Sequence, residues 1–191
     1  MKIDFHISES RVMDGVIIPT LCHGDRVVEV VSGNEDISAC DALITLKRSI
    51  SLGITTADCA AVCFSDDTKI AVAHIGWRGL CHELIEKMLG EFDTNALEVF
   101  VGPHLHVFEI QKDMCYETIK SKFGETFFTH EDDKILFHFK DAIASLLPLQ
   151  AIFDDRNTGE DMTLPSWRRD QTSNRLITVV QFSNSTTADS I

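Results

Sequence analysis

Residues 55–80, TTADCAAVCFSDDTKIAVAHIGWRGL, limit what this chain can fold into more than any other stretch. Two apolar runs, 60–64 and 70–74, have the length and content of buried strands. Between them Ser65-Asp66-Asp67-Thr68 reads as a tight turn, because Ser and Asp side chains bond to their own backbone there. Such a hairpin brings Cys59, just ahead of the first strand, close to His74 at the end of the second. A thiol and an imidazole at a hairpin's open end make a reactive or metal-binding arrangement. Residues 75–80 then place two glycines around Trp77 and Arg78, a Gly-rich loop by composition. Beyond it Leu84, Ile85, Met88, Leu89 and Phe92 recur at helical spacing, which predicts a helix over 81–92.

The rest of the chain interleaves strands and helices around this segment. Short strands are expected within 1–18, at 27–31, 41–45, 50–55, 97–101, 150–153 and 176–182. The β-branched and apolar content of these runs carries that expectation. Residues 104–113 read as a loop or short strand, 126–133 as a polar segment with two Phe, and 154–165 as a polar loop. Helices are expected at 114–123 and at 135–147, the second stopped by Pro148. Residues 183–191 are expected to be a frayed tail. The length of 191 residues suits one domain over 1–182 with a sizeable core, and the fold class is α/β or α+β around a mixed sheet.

Composition excludes some partners. Thirty acidic against 17 basic residues give a net charge of −13, which disfavours nucleic acid and acidic membrane surfaces. A local arginine pocket on such a protein can still take a small anion. No apolar run reaches the length of a bilayer span, and the first residues lack an apolar signal core, so a cytoplasmic location is expected. The six cysteines form no CxxC pair and are expected to be thiols, mostly in the core.

On spacing alone, a buried thiol near a hydrogen-bonded histidine accounts for Cys59 and His74 more simply than a site does, since free Cys is among the most buried residue types. His23, ahead of Gly24, is the obvious third ligand. One sulfur and two nitrogens with an open fourth position is the layout of a catalytic zinc centre, where the metal lowers the pKa of its water. Asp58 can accept a proton or orient a ligand, or can serve only as a turn residue. Arg78, Arg168 and Arg169 are candidates for an anion, against the alternative of surface ion pairs. His104 and His106 share one face at strand spacing and are expected at the surface, while His6, His82, His130 and His138 are taken as structural.

The chain contains, in order, His23-Gly24, Asp41-Ala42-Leu43-Ile44-Thr45, Thr56-Ala57-Asp58-Cys59, Ala73-His74-Ile75-Gly76-Trp77-Arg78-Gly79, Gly102-Pro103 and Trp167-Arg168-Arg169-Asp170. Taken together, these motifs resemble the laccase-domain family, first described as multicopper polyphenol oxidoreductases and later as purine nucleoside phosphorylases. The resemblance runs over residues 16–182. It implies a layered α/β sandwich, similar to the catalytic domain of a cysteine-dependent deamidating toxin. It places metal ligands on His23, Cys59 and His74, with zinc as the metal and copper as the alternative. It implies phosphorolysis of adenosine, inosine, guanosine or methylthioadenosine, with purine nucleoside and phosphate as partners. It also implies deamination of adenosine and pairing into a homodimer.

Several positions depart from the family pattern. The usual Gln-Val before His-Gly is Leu21-Cys22. A cysteine-containing stretch after Gly-Pro is replaced by His104-Leu105-His106-Val107-Phe108-Glu109, and a cysteine usual before the Arg-Arg pair is absent. The family's longer N-terminal part carries a Gly-rich loop and an Asn-Arg pair, so part of the pocket is expected to be missing or supplied otherwise. Three other functions compete. A multicopper oxidase needs closely paired histidine motifs, and this chain has only His104–His106 of that form. A cysteine hydrolase would use Cys59 as nucleophile and His74 as base. A shortened, inactive relative would act as a binding module.

Overall fold

The computed structural model describes residues 1–183. In chain order the strands are β1 (Lys2–Ser8), β2 (Val16–Ile17), β3 (Val27–Glu29), β4 (Ala42–Thr45), β5 (Ser51–Thr56), β6 (Ala60–Ser65), β7 (Ile70–Ile75), β8 (Glu98–Val101), β9 (Val107–Ile110), β10 (Phe128–Glu131), β11 (Lys134–His138), β12 (Ile152–Phe153) and β13 (Arg175–Gln181). The helices are α1 (Trp77–Cys81), α2 (Leu84–Gly90), α3 (Met114–Phe123), α4 (Phe139–Leu146) and α5 (Trp167–Asp170).

The expected hairpin forms as β6 and β7, paired antiparallel from Ala60–Ile75 to Ser65–Ile70. It is the centre of a six-stranded sheet in the order β12-β8-β6-β7-β4-β3. Side chains alternate across a strand, so each strand of the hairpin feeds two cores at once. Ala60, Val62, Phe64, Ala71, Ala73 and Ile75 face the helices, with Leu84, Ile85 and Met88 of α2 among their neighbours. Ala61, Cys63, Ile70 and Val72 face the other way, onto Leu52, Ile54 and Val180 of the second sheet. That second sheet has the order β1-β13-β5-β2. Both faces of the hairpin are thus buried, which is why its strands read as continuous apolar runs rather than alternating ones. A third sheet, β10-β11-β9, adds Phe137 and Ile110 to the helix-side core. The architecture is a layered mixed α/β fold with both parallel and antiparallel pairings.

Three elements differ from the sequence expectation. The Gly-rich segment after His74 is not a loop but the helical turn α1, with Gly79 and Leu80 buried. The helix expected over 81–92 is split: Glu83 takes φ 63°, in the left-handed region, so α1 ends and α2 starts afresh at Leu84. The helix expected over 135–147 starts only at Phe139, because residues 134–138 form β11, paired on one side with β10 and on the other with β9. The helical pattern of Ala142, Ile143 and Leu146 is real but belongs to α4 alone. The polar segment at 126–133 supplies β10, closed by a turn at Asp132 with φ 50°. The helix at 114–123 forms with the expected bounds, capped by Asp113, whose side chain accepts from the amides of Cys115 and Tyr116. The tail expected at 183–191 lies outside the described residues from residue 184 onward.

Candidate metal centre

One residue organises the loop that carries His23. Asp41 stands immediately before β4, and the pairing of Ala42 with Ala73 puts it beside His74. The His74 amide donates to the Asp41 carbonyl at 2.7 Å. The Asp41 side chain is fully buried and accepts from the amides of Cys22 (3.3 Å), His23 (2.9 Å) and Gly24 (2.8 Å), and from the Cys22 thiol (3.0 Å). Its Oδ1 also receives Nδ1 of His74 at 2.9 Å. Burial alone would push this carboxyl up. The His74 ring, the Cys22 thiol and the Gly24 amide outweigh that and hold it well below the usual carboxylate range.

The consequence is a pair of histidines fixed by one carboxylate. His74 is buried, with Nδ1 committed to Asp41, so Nε2 is the ring atom left for another partner. Burial works against its charged form, but Asp41 and Cys59 prevail and lift its pKa to about 9. His23 is held at φ 60°, an uncommon conformation for a non-glycine residue, and its ring meets that of His74 edge-on at 4.8 Å between centroids. Burial and the neighbouring His74 lower the His23 pKa, which keeps it neutral and ready to ligate. Cys59 lies two residues before Ala61, the β6 partner of His74. One ligand atom each from His23, Cys59 and His74 lie within 4.8 Å of one another. Gly76 leaves this sulfur its room: a Cβ there would stand 3.1 Å from Cys59 Sγ.

The set fits a metal by its chemistry. Two imidazoles and a thiolate suit zinc, and the carboxylate behind His74 is the usual outer support for a ligating histidine. His23 is exposed, Cys59 half-buried and His74 buried, so the group opens on one side. It opens into a cavity of about 510 Å³, within the size range of small-molecule sites. Trp77 and Trp167 line this cavity, as do Arg11, Arg78, Arg168 and Arg175.

The other sequence candidates divide. Asp58 does line the cavity, at φ 82°, but both its oxygens are engaged: Oδ1 accepts from Thr158 Oγ1 at 2.8 Å and Oδ2 from the Arg168 amide at 2.7 Å. It therefore ties the loop at 158 and the start of α5 to the base of the hairpin. Arg78 lies over Trp77, 4.7 Å from the ring centroid. Arg168 lies over Phe108 at 4.2 Å and donates to the Glu109 carbonyl at 3.2 Å. Arg169 points elsewhere, its guanidinium donating to the carbonyls of Thr158, Asp161 and Leu164, and it braces the 154–165 loop. The expectation of surface histidines is corrected at His104, while His106 is half-buried. His104 is fully buried, donates Nδ1 to the Gly102 carbonyl at 2.8 Å, and neither residue lines the cavity. His104 is buried because the residues after Gly102-Pro103 run inward, against Phe139 and Phe153, before β9 begins.

Three residues of the site carried no signal strong enough to be singled out from sequence. Asp41 had one in principle, an acid abutting a wholly apolar strand. Arg11 and Arg175 had none, since only the pairing of β1 with β13 brings them to the cavity.

Comparison with known proteins gives the family and the fold. The family model described as multi-copper polyphenol oxidoreductase laccase matches residues 6–183. The chain belongs to that family. A purine nucleoside phosphorylase of Aquifex aeolicus is 28% identical over 182 residues, covering 86% of this chain and 82% of that one. One of Staphylococcus epidermidis is 32% identical over 126 residues, 59% of this chain and 46% of its own length. The crystal structure of a Neisseria meningitidis protein superposes with a TM-score of 0.76 at 22% identity, over 86% of this chain and 73% of that one, which shows the shared fold.

Proposed function

We propose that this protein is a zinc-dependent purine nucleoside enzyme. It cleaves adenosine, inosine, guanosine or methylthioadenosine with phosphate, and it deaminates adenosine. The observation that carries this is the His23–Cys59–His74 donor set, open to a cavity with two tryptophans and an excess of arginine. The names of the relatives support the same reaction class. The unit that carries it is residues 1–182, acting in the cytoplasm and paired as a homodimer by analogy with the family.

The roles follow from placement. His23, Cys59 and His74 hold the metal, and Asp41 fixes His74 so that Nε2 faces it. A bound zinc supplies Lewis acidity at the cavity floor. Trp77 and Trp167 offer flat apolar walls to a purine. Arg78 and Arg168, both exposed, draw the phosphate in from solvent. In phosphorolysis a phosphate oxygen bonds to the ribose C1′ as the C1′–N9 bond breaks, and the base leaves with the electron pair and gains a proton. In deamination water replaces the amino group at C6 and ammonia leaves. Asp58 positions Arg168 through its backbone amide and holds the Thr158 hydroxyl beside it.

A multicopper oxidase is disfavoured by ligand supply: among the described residues one His/Cys/Asp/Glu group of this kind forms, not several. The decisive experiment is metal analysis of protein purified without added metal, with adenosine and phosphate turnover followed by chromatography. About one zinc per chain is expected, with adenine or inosine formed and lost in His23→Ala. Turnover equal to wild type in metal-free His23→Ala protein would refute the zinc mechanism.

A further inference from the structure

The cavity contains more cation than the roles above use. Arg175 opens β13, opposite Ser8 at the end of β1 and one residue before the Leu176–Thr56 pair. That register sets it between the turn carrying Asp58 and Cys59 and the loop after β1, where Arg11 lies. Both arginines line the cavity. Nη1 of Arg175 donates to the carbonyls of Thr172 and Asn174, each at 2.8 Å, and the guanidinium lies over Trp167 at 5.6 Å. Its Nε–Nη2 edge, the fork that matches two oxygens of an oxyanion, has no acceptor among the described residues. Arg11 has neither a hydrogen bond nor an ion pair among the described residues.

Two guanidiniums, neither in an ion pair among the described residues, face one small volume. Among the described residues Asp58 is the one carboxylate lining it, and it already accepts a bond at each oxygen. Burial and then the charge of Arg11 both act against the charged form of Arg175, with Asp58 and Cys59 only partly offsetting them. A guanidinium does not lose its proton in a protein, so the strain is relieved by an anion. Arg168 differs in placement: it is exposed to solvent over Phe108, whereas Arg175 is half-buried.

We propose that Arg175 and Arg11 form the seat for a phosphate group, Arg175 through its Nε–Nη2 fork and Arg11 from the facing loop, and that the group is inorganic phosphate. The role of that phosphate in turnover rests on the nucleoside reading above; its binding does not.

The test is calorimetric titration of the whole protein with inorganic phosphate, and in parallel with adenosine monophosphate. It uses wild type, Arg175→Lys, Arg11→Gln and Arg48→Gln. Arg175→Lys keeps the charge and loses the fork. Arg11→Gln removes a side chain that holds no other residue, so the fold is retained. Arg48→Gln removes an equal charge from an exposed residue that does not line the cavity. The dissociation constant for phosphate should rise about tenfold or more in each of the first two and stay within about twofold in the third. No phosphate binding by wild type, equal binding by all four proteins, or binding of adenosine monophosphate alone overturns the assignment. Adenosine turnover separates the two claims. Weakened phosphate binding in a protein that does not consume adenosine leaves the seat standing and sinks the nucleoside reading. Turnover with an unaltered KM for phosphate in both variants does the reverse.

Discussion

Asp41 shows how much one buried side chain can determine. Its two oxygens take three amides, a thiol and an imidazole, and so set both the conformation of the His23 loop and the orientation of His74. Replacing it with Asn keeps the size, removes the charge and puts donors where acceptors are needed. Asp41→Asn is expected to weaken zinc binding by about 10–100-fold, measured by chelator competition. Cys59→Ala should lose the metal and the turnover together while the protein stays folded, since the thiol is only half-buried. At this scale the sequence was partly legible. Cys59 and His74 could be paired because a recognisable turn fixes which strand ends meet. Asp41 and Arg175 could not, because what brings Asp41 to His74, and Arg175 to the cavity, is strand pairing at sequence separations that no local pattern encodes.

At the scale of elements, the hairpin was legible and the junctions were not. Strands β6 and β7 are apolar on both faces, so their content announced them. Strand β11 reads as helix in the sequence because its residues run straight into α4, and what makes 134–138 extended is pairing with β9 and β10. The break between α1 and α2 rests on the left-handed conformation of Glu83. Glycine adopts that conformation without penalty, so Glu83→Gly is expected to stabilise the protein by about 0.5–1 kcal/mol in denaturant unfolding. The partial contact of Glu83 with Lys122, at 3.7 Å on an exposed side chain, is too weak to reverse the sign. Phe64 is fully buried in the middle of β6 and stacks on Phe92 at 5.8 Å. Its truncation to Ala should cost about 3–5 kcal/mol by the same measurement.

For the molecule as a whole, the metal site couples stability to pH. In the metal-free protein the His74 pKa is raised from 6.5 to about 9. The stabilisation this represents is fully present below 6.5 and is lost as pH rises through about 9. Asp41 is shifted the other way, so its contribution is present above the usual carboxylate range and lost in acid. The thermal midpoint of metal-free protein should therefore fall between pH 6.5 and 9, and Asp41→Asn should flatten that fall. Zinc needs His74 without its proton, so loading at neutral pH should release protons, seen as a dependence of binding heat on the buffer's ionisation enthalpy. The order of synthesis adds a different consequence. All three donors and Asp41 lie within the first 74 residues, on loops and strands that pair with one another. The cation wall is completed later: Arg11 lies within the same stretch, but Arg175 opens β13, the strand between β1 and β5, far downstream of His74. A nascent chain thus owns its metal ligands long before it owns a closed cavity, and a message cut short of codon 175 encodes the donors without the seat for the anion.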